Sequence, residues 1–323
     1  MNIIDYFISA LSSFLNASPG AVAQGLIWGI MAMGLYISYK ILDIADLTVD
    51  GSICTGACVC AVLLANGVNI FICLLAAFVA GALAGMITGL FHTLMGIPAI
   101  LSGILTQLIL WSLNLKILGK ANLSISSRNH FVLLSSIDNP AAIAVTAIFC
   151  VLIIVALFLF FYTEIGLSVK ATGDNADMSE AQGVNVKRNK VLGLAISNGI
   201  VALAGGLLAQ YQGFADINMG RGAIVIGLAA IIIGLSVSMK IKPNFVVSLI
   251  GVVGGGIAYY LVYTFVICLG LDTDLLKMLS AVVVAIFLAL PYLKREYFTK
   301  PVAPAELAAV QSETNDGGGN SDA

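Results

Sequence analysis

The chain has 323 residues, of which 60% are hydrophobic and only 10% charged. A soluble domain carries about a quarter charged residues, so this composition excludes a soluble globular protein. The net charge of -2, from 15 basic and 17 acidic residues, gives no electrostatic support for nucleic-acid binding.

No charged residue occurs over residues 51–115, 140–163 or 243–271. Each run is long enough to cross a ~30 Å hydrocarbon core, and the first is long enough for about three crossings. The runs lack the strict alternation of a β-barrel, so the backbone must satisfy itself within helices. The expected fold is an all-α polytopic membrane protein embedded in the lipid bilayer.

Residues 1–19 form a short apolar stretch, expected to be an interfacial segment or a partial insertion. Asn16, Ala17, Ser18, Pro19 and Gly20 read as the turn that closes it. The N-terminus carries neither a basic n-region nor an A-x-A site, so no cleaved signal peptide is expected. Spans are then expected at 21–39, 49–65, 71–95, 99–115, 141–162, 191–211, 222–238, 245–268 and 276–291. The total is about nine to ten, counting the N-terminal stretch or not. Several are short or broken by Gly, which points to half-helices. Gly81, Gly85 and Gly89 share one helix face, as do Gly251 and Gly255, and such faces allow close helix packing in lipid. Residues 296–323, rich in Pro, Gly, Asn, Ser and Asp, read as a disordered tail.

Cys54, Cys58 and Cys60 lie among apolar residues without a nearby His, which favours small buried thiols over a metal cluster. Cys73, Cys150 and Cys268 also lie in apolar runs. His92 and His130 stand alone, and no metal site is expected. No Ser/His or metal-ligand constellation at membrane depth supports an intramembrane enzyme.

One long polar segment, residues 163–190, separates the apolar halves. It carries Lys170, Lys187, Arg188 and Lys190, and a short helix-compatible piece between Gly173 and Gly183. Short basic loops are retained on the cytoplasmic side. With this segment inside, alternation also places Lys240, Lys242, Lys294, Arg295 and Lys300 inside, in keeping with that rule. It places Lys116, Lys120 and Arg128 outside, against it. The segment reads either as a solvated connector or as a handle for a soluble partner.

The chain also resembles itself. Gly29-Ile30-Met31-Ala32 matches Gly199-Ile200-Val201-Ala202, and Ile44-Ala45-Asp46-Leu47-Thr48 matches Phe214-Ala215-Asp216-Ile217-Asn218, at the same offset. An odd number of crossings separates the copies, so the repeat is expected to be inverted, a transporter architecture. Asp46, Thr48, Asp50, Asp216 and Asn218 then have two readings. The carboxylates cap the helices that follow, or these residues line a pathway or bind a cation at membrane depth. Arg221 is placed to pair with Asp216 or to snorkel to the interface. In the second reading a stand-alone, ion-coupled secondary transporter would use Asp43, Asp46, Asp50 and Asp216.

Thr163-Glu164-Ile165-Gly166, Ala171, Asn175-Ala176, Ala181, Gly183-Val184-Asn185-Val186, Lys190 and Ala202-Leu203-Ala204-Gly205-Gly206 carry a family likeness. They resemble the membrane permease subunits of ABC importers of the branched-chain amino acid/ribose superfamily. Residues 41–57 are similar to a signature of tryptophan/tyrosine-type uptake permeases, with Ala45 where that signature usually carries Pro. The resemblance covers about residues 20–295, which become a transmembrane permease domain of the type II ABC importer kind. It implies that Asn175, Ala176, Asp177, Met178, Ser179, Glu180, Ala181, Gln182 and Gly183 form a coupling helix seated on a cytoplasmic ABC ATPase dimer. It implies a second permease subunit, as a homodimer, and an extracytoplasmic substrate-binding lipoprotein that could meet the loop at 116–139. It implies a multi-pass protein of the bacterial cytoplasmic membrane whose cargo is a small solute, expected to be an amino acid, with an aromatic one suggested by the subgroup signature. The chain has no G-x-x-x-x-G-K-[ST] motif, so it holds no cofactor itself, and ATP and Mg belong to the partner ATPase.

Overall fold

The computed structural model describes residues 3–125, 133–136, 138–238 and 244–269, with five single positions between 278 and 289. The first helix, α1 (Ile3–Tyr36), continues into a π-helical turn at Ile37–Ile41. There follow α2 (Val49–Ala65), α3 (Ile70–Thr93), α4 (Ala99–Leu118), β1 (Asn122–Ser124) and α5 (Asn139–Phe161). Two short helices, α6 (Glu164–Asp174) and α7 (Ala176–Ala181), occupy the polar segment. The second half holds α8 (Val186–Gln212), β2 (Phe214–Asp216), α9 (Ala223–Ser238) and α10 (Phe245–Cys268).

Six of the described helices are long and apolar enough to cross a membrane: α1 with its π turn, α3, α4, α5, α8 and α10. The expected spans at 49–65 and 222–238 are shorter, at 17 and 16 residues. At 1.5 Å per residue they reach about 25 Å, short of the ~30 Å core. The expected span at 276–291 lies largely outside the described residues, and the tail at 296–323 wholly so. Arg128, His130, Lys240, Lys242, Lys294, Arg295 and Lys300 also lie outside them.

The expected turn at residues 16–20 does not form. α1 runs through it as one helix of 34 residues with Pro19 inside. Proline offers no N–H to the Leu15 carbonyl. The Ser18 hydroxyl donates to that carbonyl instead, at 2.9 Å. A hydrophobic setting keeps the helix wherever the freed carbonyl finds a local donor.

A second departure is small. β1 and β2 pair antiparallel, with Asn122 opposite Asp216 and Ser124 opposite Phe214. This three-residue ribbon ties the end of α4 to the end of α8; the other regular elements among the described residues are helical.

The core is the contact of α1, α2 and α8 with α3, α9 and α10. α3 packs on α8, α10 on α1 and α9, and α2 on α8. The small faces permit this. A Cβ at Gly81 or Gly85 would collide with the α8 backbone at Asn198 and Leu194, and one at Gly89 would meet the Val191 Cα at 2.8 Å. Gly251 and Gly255 press in the same way against Gly234 and Ala230 of α9. The outer helices show the reverse pattern. α5 exposes Ile148, Val151, Leu152, Val155 and Leu159, and α4 exposes Leu101, Ile104, Leu108 and Ile109. Such continuous apolar surface requires lipid or another helix against it.

α8 starts beside α6 and α7 and ends at β2. Its 27 residues span about 40 Å, so the α6–α7 segment and the ribbon sit at opposite ends of the molecule.

Candidate functional site

The polar segment is built by side-chain caps. Thr163 Oγ1 accepts the Gly166 amide at 3.2 Å and starts α6. Asn175 leaves the helical region (φ -158°, ψ 104°), ends α6 and caps α7 by accepting the Met178 amide at 2.9 Å. The Ser179 hydroxyl donates back to the Asn175 carbonyl at 2.8 Å. Gly183, at φ +83°, supplies the left-handed turn that ends α7, and the Val184 amide then reaches the Ser179 carbonyl at 3.0 Å. Asn185 starts α8 by accepting the Arg188 amide at 3.0 Å.

This hairpin is anchored rather than loose. Asn189 Nδ2 on α8 donates to Ser168 Oγ at 2.7 Å and Thr172 Oγ1 at 2.9 Å, both on α6. Gly173 lets α6 lie directly on the Ile41 carbonyl at the end of the π turn. Within α7 only Ser179 is buried, and Ala176 is half-buried. Asp177, Met178, Glu180, Ala181, Gln182 and Gly183 all face outward. Ile165, Leu167 and Met178 add exposed apolar surface next to Lys170, Lys187 and Arg188.

A second cluster lies inside the helices. Asp46 is 1% exposed in the loop before α2. Its Oδ1 accepts the Thr48 amide at 2.9 Å, and its Oδ2 accepts from Asn198 Nδ2 at 2.6 Å. Ser52 donates to Asn198 Oδ1 at 2.6 Å, while Asn198 Nδ2 also reaches the Leu194 carbonyl. The Thr48 and Thr88 hydroxyls meet at 2.7 Å. One carboxylate thus joins the α1–α2 loop, α2 and α8, with α3 reached through Thr48. A buried carboxylate is tolerable when its acceptor sites are filled in this way.

The expected capping roles are corrected by these bonds. Asp46 holds the turn into α2, but the N-cap of α2 is Thr48, without a side-chain cap bond. Asp216 holds a matching turn, its Oδ1 accepting the Asn218 amide at 2.7 Å. The carboxylate that caps α9 comes from α2: Asp50 accepts the Gly222 amide at 3.0 Å and the Ile224 amide at 2.9 Å. Asp43 is exposed at φ +54°. The four aspartates therefore occupy separate surroundings and do not converge on one site. Arg221 shares a cleft with Asp50, and Asp216 does not line it. Cys54, Cys58 and Cys60 are buried free thiols on α2. His92 Nδ1 lies 2.9 Å from the Ile97 carbonyl in the α3–α4 turn.

A helical bundle of this kind, apolar outward, with a few buried polar groups inside and a structured hairpin at one end, is the build of a multi-pass membrane protein. The profile of the family described as "Branched-chain amino acid transport system / permease component" matches residues 20–289. The chain belongs to that family of transport-system permeases. It is 40% identical over 268 residues to the tyrosine transport system permease protein of Clostridioides difficile (strain R20291), covering 83% of this chain and 89% of the relative. It is 35% identical over 284 residues to an uncharacterized protein of Rickettsia prowazekii (strain Madrid E), covering 87% of this chain and 99% of that one. No solved structure matches the chain at a significant level.

Proposed function

We propose that this chain is the membrane subunit of an ATP-driven ABC importer that moves an amino acid, in the first place an aromatic one. The observation that carries the reading is α7. It is a capped helix, with only Ser179 turned inward, that presents Asp177, Met178, Glu180, Ala181 and Gln182 to the outside. α6, the helix that leads into it, is tied to α8 through the Asn189 bonds. α8 in turn holds Asp46 and the start of α2. A push on α7 by a soluble partner therefore has a stiff path to the middle of the bundle.

The hairpin lies at the end bearing Lys40, Lys170, Lys187, Arg188 and Lys190, which supports a cytoplasmic position under the positive-inside rule. Lys116 and Lys120 lie at the opposite end and run against the rule; there they would face an extracytoplasmic binding lipoprotein. A dimeric ABC ATPase, holding ATP and Mg, would seat α7. A second copy of the chain would cover exposed apolar surface of the outer helices. The setting is the cytoplasmic membrane of a bacterium, with residues 20–295 as the membrane domain, 1–19 at its edge and 296–323 in the cytoplasm.

The matching turns at Asp46 and Asp216 support the inverted repeat. So does the long–short–long order of α1–α2–α3 and α8–α9–α10, with each long third helix packed on the first helix of the other set. A type II importer of about nine to ten spans accommodates both sets. The cargo assignment draws on the tyrosine permease relative.

Glu180→Trp and Ala181→Trp test the coupling role. Both side chains are exposed, so the chain should still insert, while ATP-dependent uptake is lost. Uptake at the wild-type rate in both variants would contradict it.

A further inference from the structure

Between the start of α2, the second half of α4 and the turn before α9 lies a cleft of about 290 Å³. Asp50, Gln107, Trp111, Asn114 and Arg221 line it. This is a polar, partly aromatic hollow in the half of the bundle nearer the β1–β2 ribbon. Its volume is at the small end of ligand sites.

Three features point to a ligand. First, Asn114 is 1% exposed, yet its Oδ1 has no hydrogen-bond partner. A buried amide on an apolar helix is costly unless something completes its bonding. Second, Asp50 spends one lone pair of each oxygen on the α9 amides. A carboxylate has further acceptor sites on both atoms. Third, the cleft holds one carboxylate and one guanidinium. Arg221 is exposed at the cleft and offers a planar fork of donors suited to a carboxylate.

We propose that this cleft is a transit site for a zwitterionic α-amino acid. Arg221 receives the ligand carboxylate, Asp50 the ammonium group, Asn114 and Gln107 add amide bonds, and the Trp111 ring flanks the side chain. A ligand with both charges and no net charge matches the charge pattern of the walls. The assignment rests on the importer reading only for the cargo being an amino acid.

Trp111 makes the test direct, because the chain has only two tryptophans. The other, Trp28, stacks on Tyr260 in the core. In a Trp28→Phe background the full-length chain in lipid nanodiscs reports through Trp111 alone. Titration with L-tyrosine, L-phenylalanine and L-leucine should give a saturable fluorescence change with at least one. N-acetylphenylalanine and phenylalanine methyl ester should bind at least about tenfold more weakly than L-phenylalanine or not at all. Arg221→Gln, a surface change, should weaken binding to a similar extent without altering thermal unfolding. No saturable response to any of the three, an equal response to the blocked derivatives, or no effect of Arg221→Gln would overturn the site. Glu180→Trp adds a tryptophan, so Glu180→Arg is the coupling variant here. It should lose ATPase association and keep the response. A wild-type chain that binds amino acid but associates with no ATPase would remove the importer reading and leave the site standing.

Discussion

Asn198 is the residue on which the interior depends most. Its amide fills one acceptor site of Asp46 and takes the Ser52 hydroxyl, so Asp46 Oδ2 and the Ser52 hydroxyl both lose a partner if it is lost. Asn198→Leu should lower stability by about 3 kcal/mol, because a buried carboxylate oxygen and a buried hydroxyl are left without hydrogen-bond partners. Thermal unfolding in mild detergent measures this, and an unchanged melting temperature would show that the network carries no weight. Asp50 makes a graded prediction. Asp50→Asn keeps one acceptor for the α9 amides and Asp50→Ala keeps none, so α9 should lose about 1 kcal/mol of capping in the alanine variant and less in the asparagine variant. Hydrogen exchange at Gly222 and Ile224 should quicken in the order wild type, Asn, Ala. Equal protection in all three would remove the capping role.

At the scale of the element, helices were legible in the sequence and the joints between them were not. Charge-free runs place α3, α5 and α10 because lipid demands long apolar helices. The glycine faces of α3 and α10 were legible as packing surfaces for the same reason. Which helix each would meet was not, since four-residue spacing names a face but no partner. Gly81→Val should disrupt the α3–α8 contact, because the new side chain meets the Asn198 carbonyl and Ala202, neither of which can swing away. Overpacking of this kind costs about 1–3 kcal/mol or prevents insertion. Gly67→Ala is the control: it has open space around it and bears only the strain of φ +76°. Melting temperatures of the two should separate clearly, and equal values would contradict the close approach. Asn16 to Gly20 misled as a turn because Ser18 serves the carbonyl that Pro19 abandons. The Asp50 cap was hidden because its partner amides lie on another helix, far away in sequence.

At the scale of the whole molecule, polar groups gather inside and at the α6–α7 end, while the outer helices turn apolar residues outward. The hairpin was readable as a handle from its Asn and Gly punctuation. Its stiffness was not, because Asn189, Ser168 and Thr172 are unremarkable in sequence and acquire meaning only when α6 folds back on α8. The same holds for Asn114 and Trp111, which look like ordinary members of an apolar helix until Asp50 and Arg221 are brought against them.

If α7 couples this membrane bundle to an ATPase, the two should travel together through purification. The direct measurement is a mild-detergent purification of the tagged chain from its native membrane, beside a variant carrying Glu180→Trp and Ala181→Trp. An ATPase with a P-loop should accompany the wild type and be lost from the variant, while both chains insert and fold. A chain that purifies alone and still drives uptake from an ion gradient without ATP would contradict the coupling.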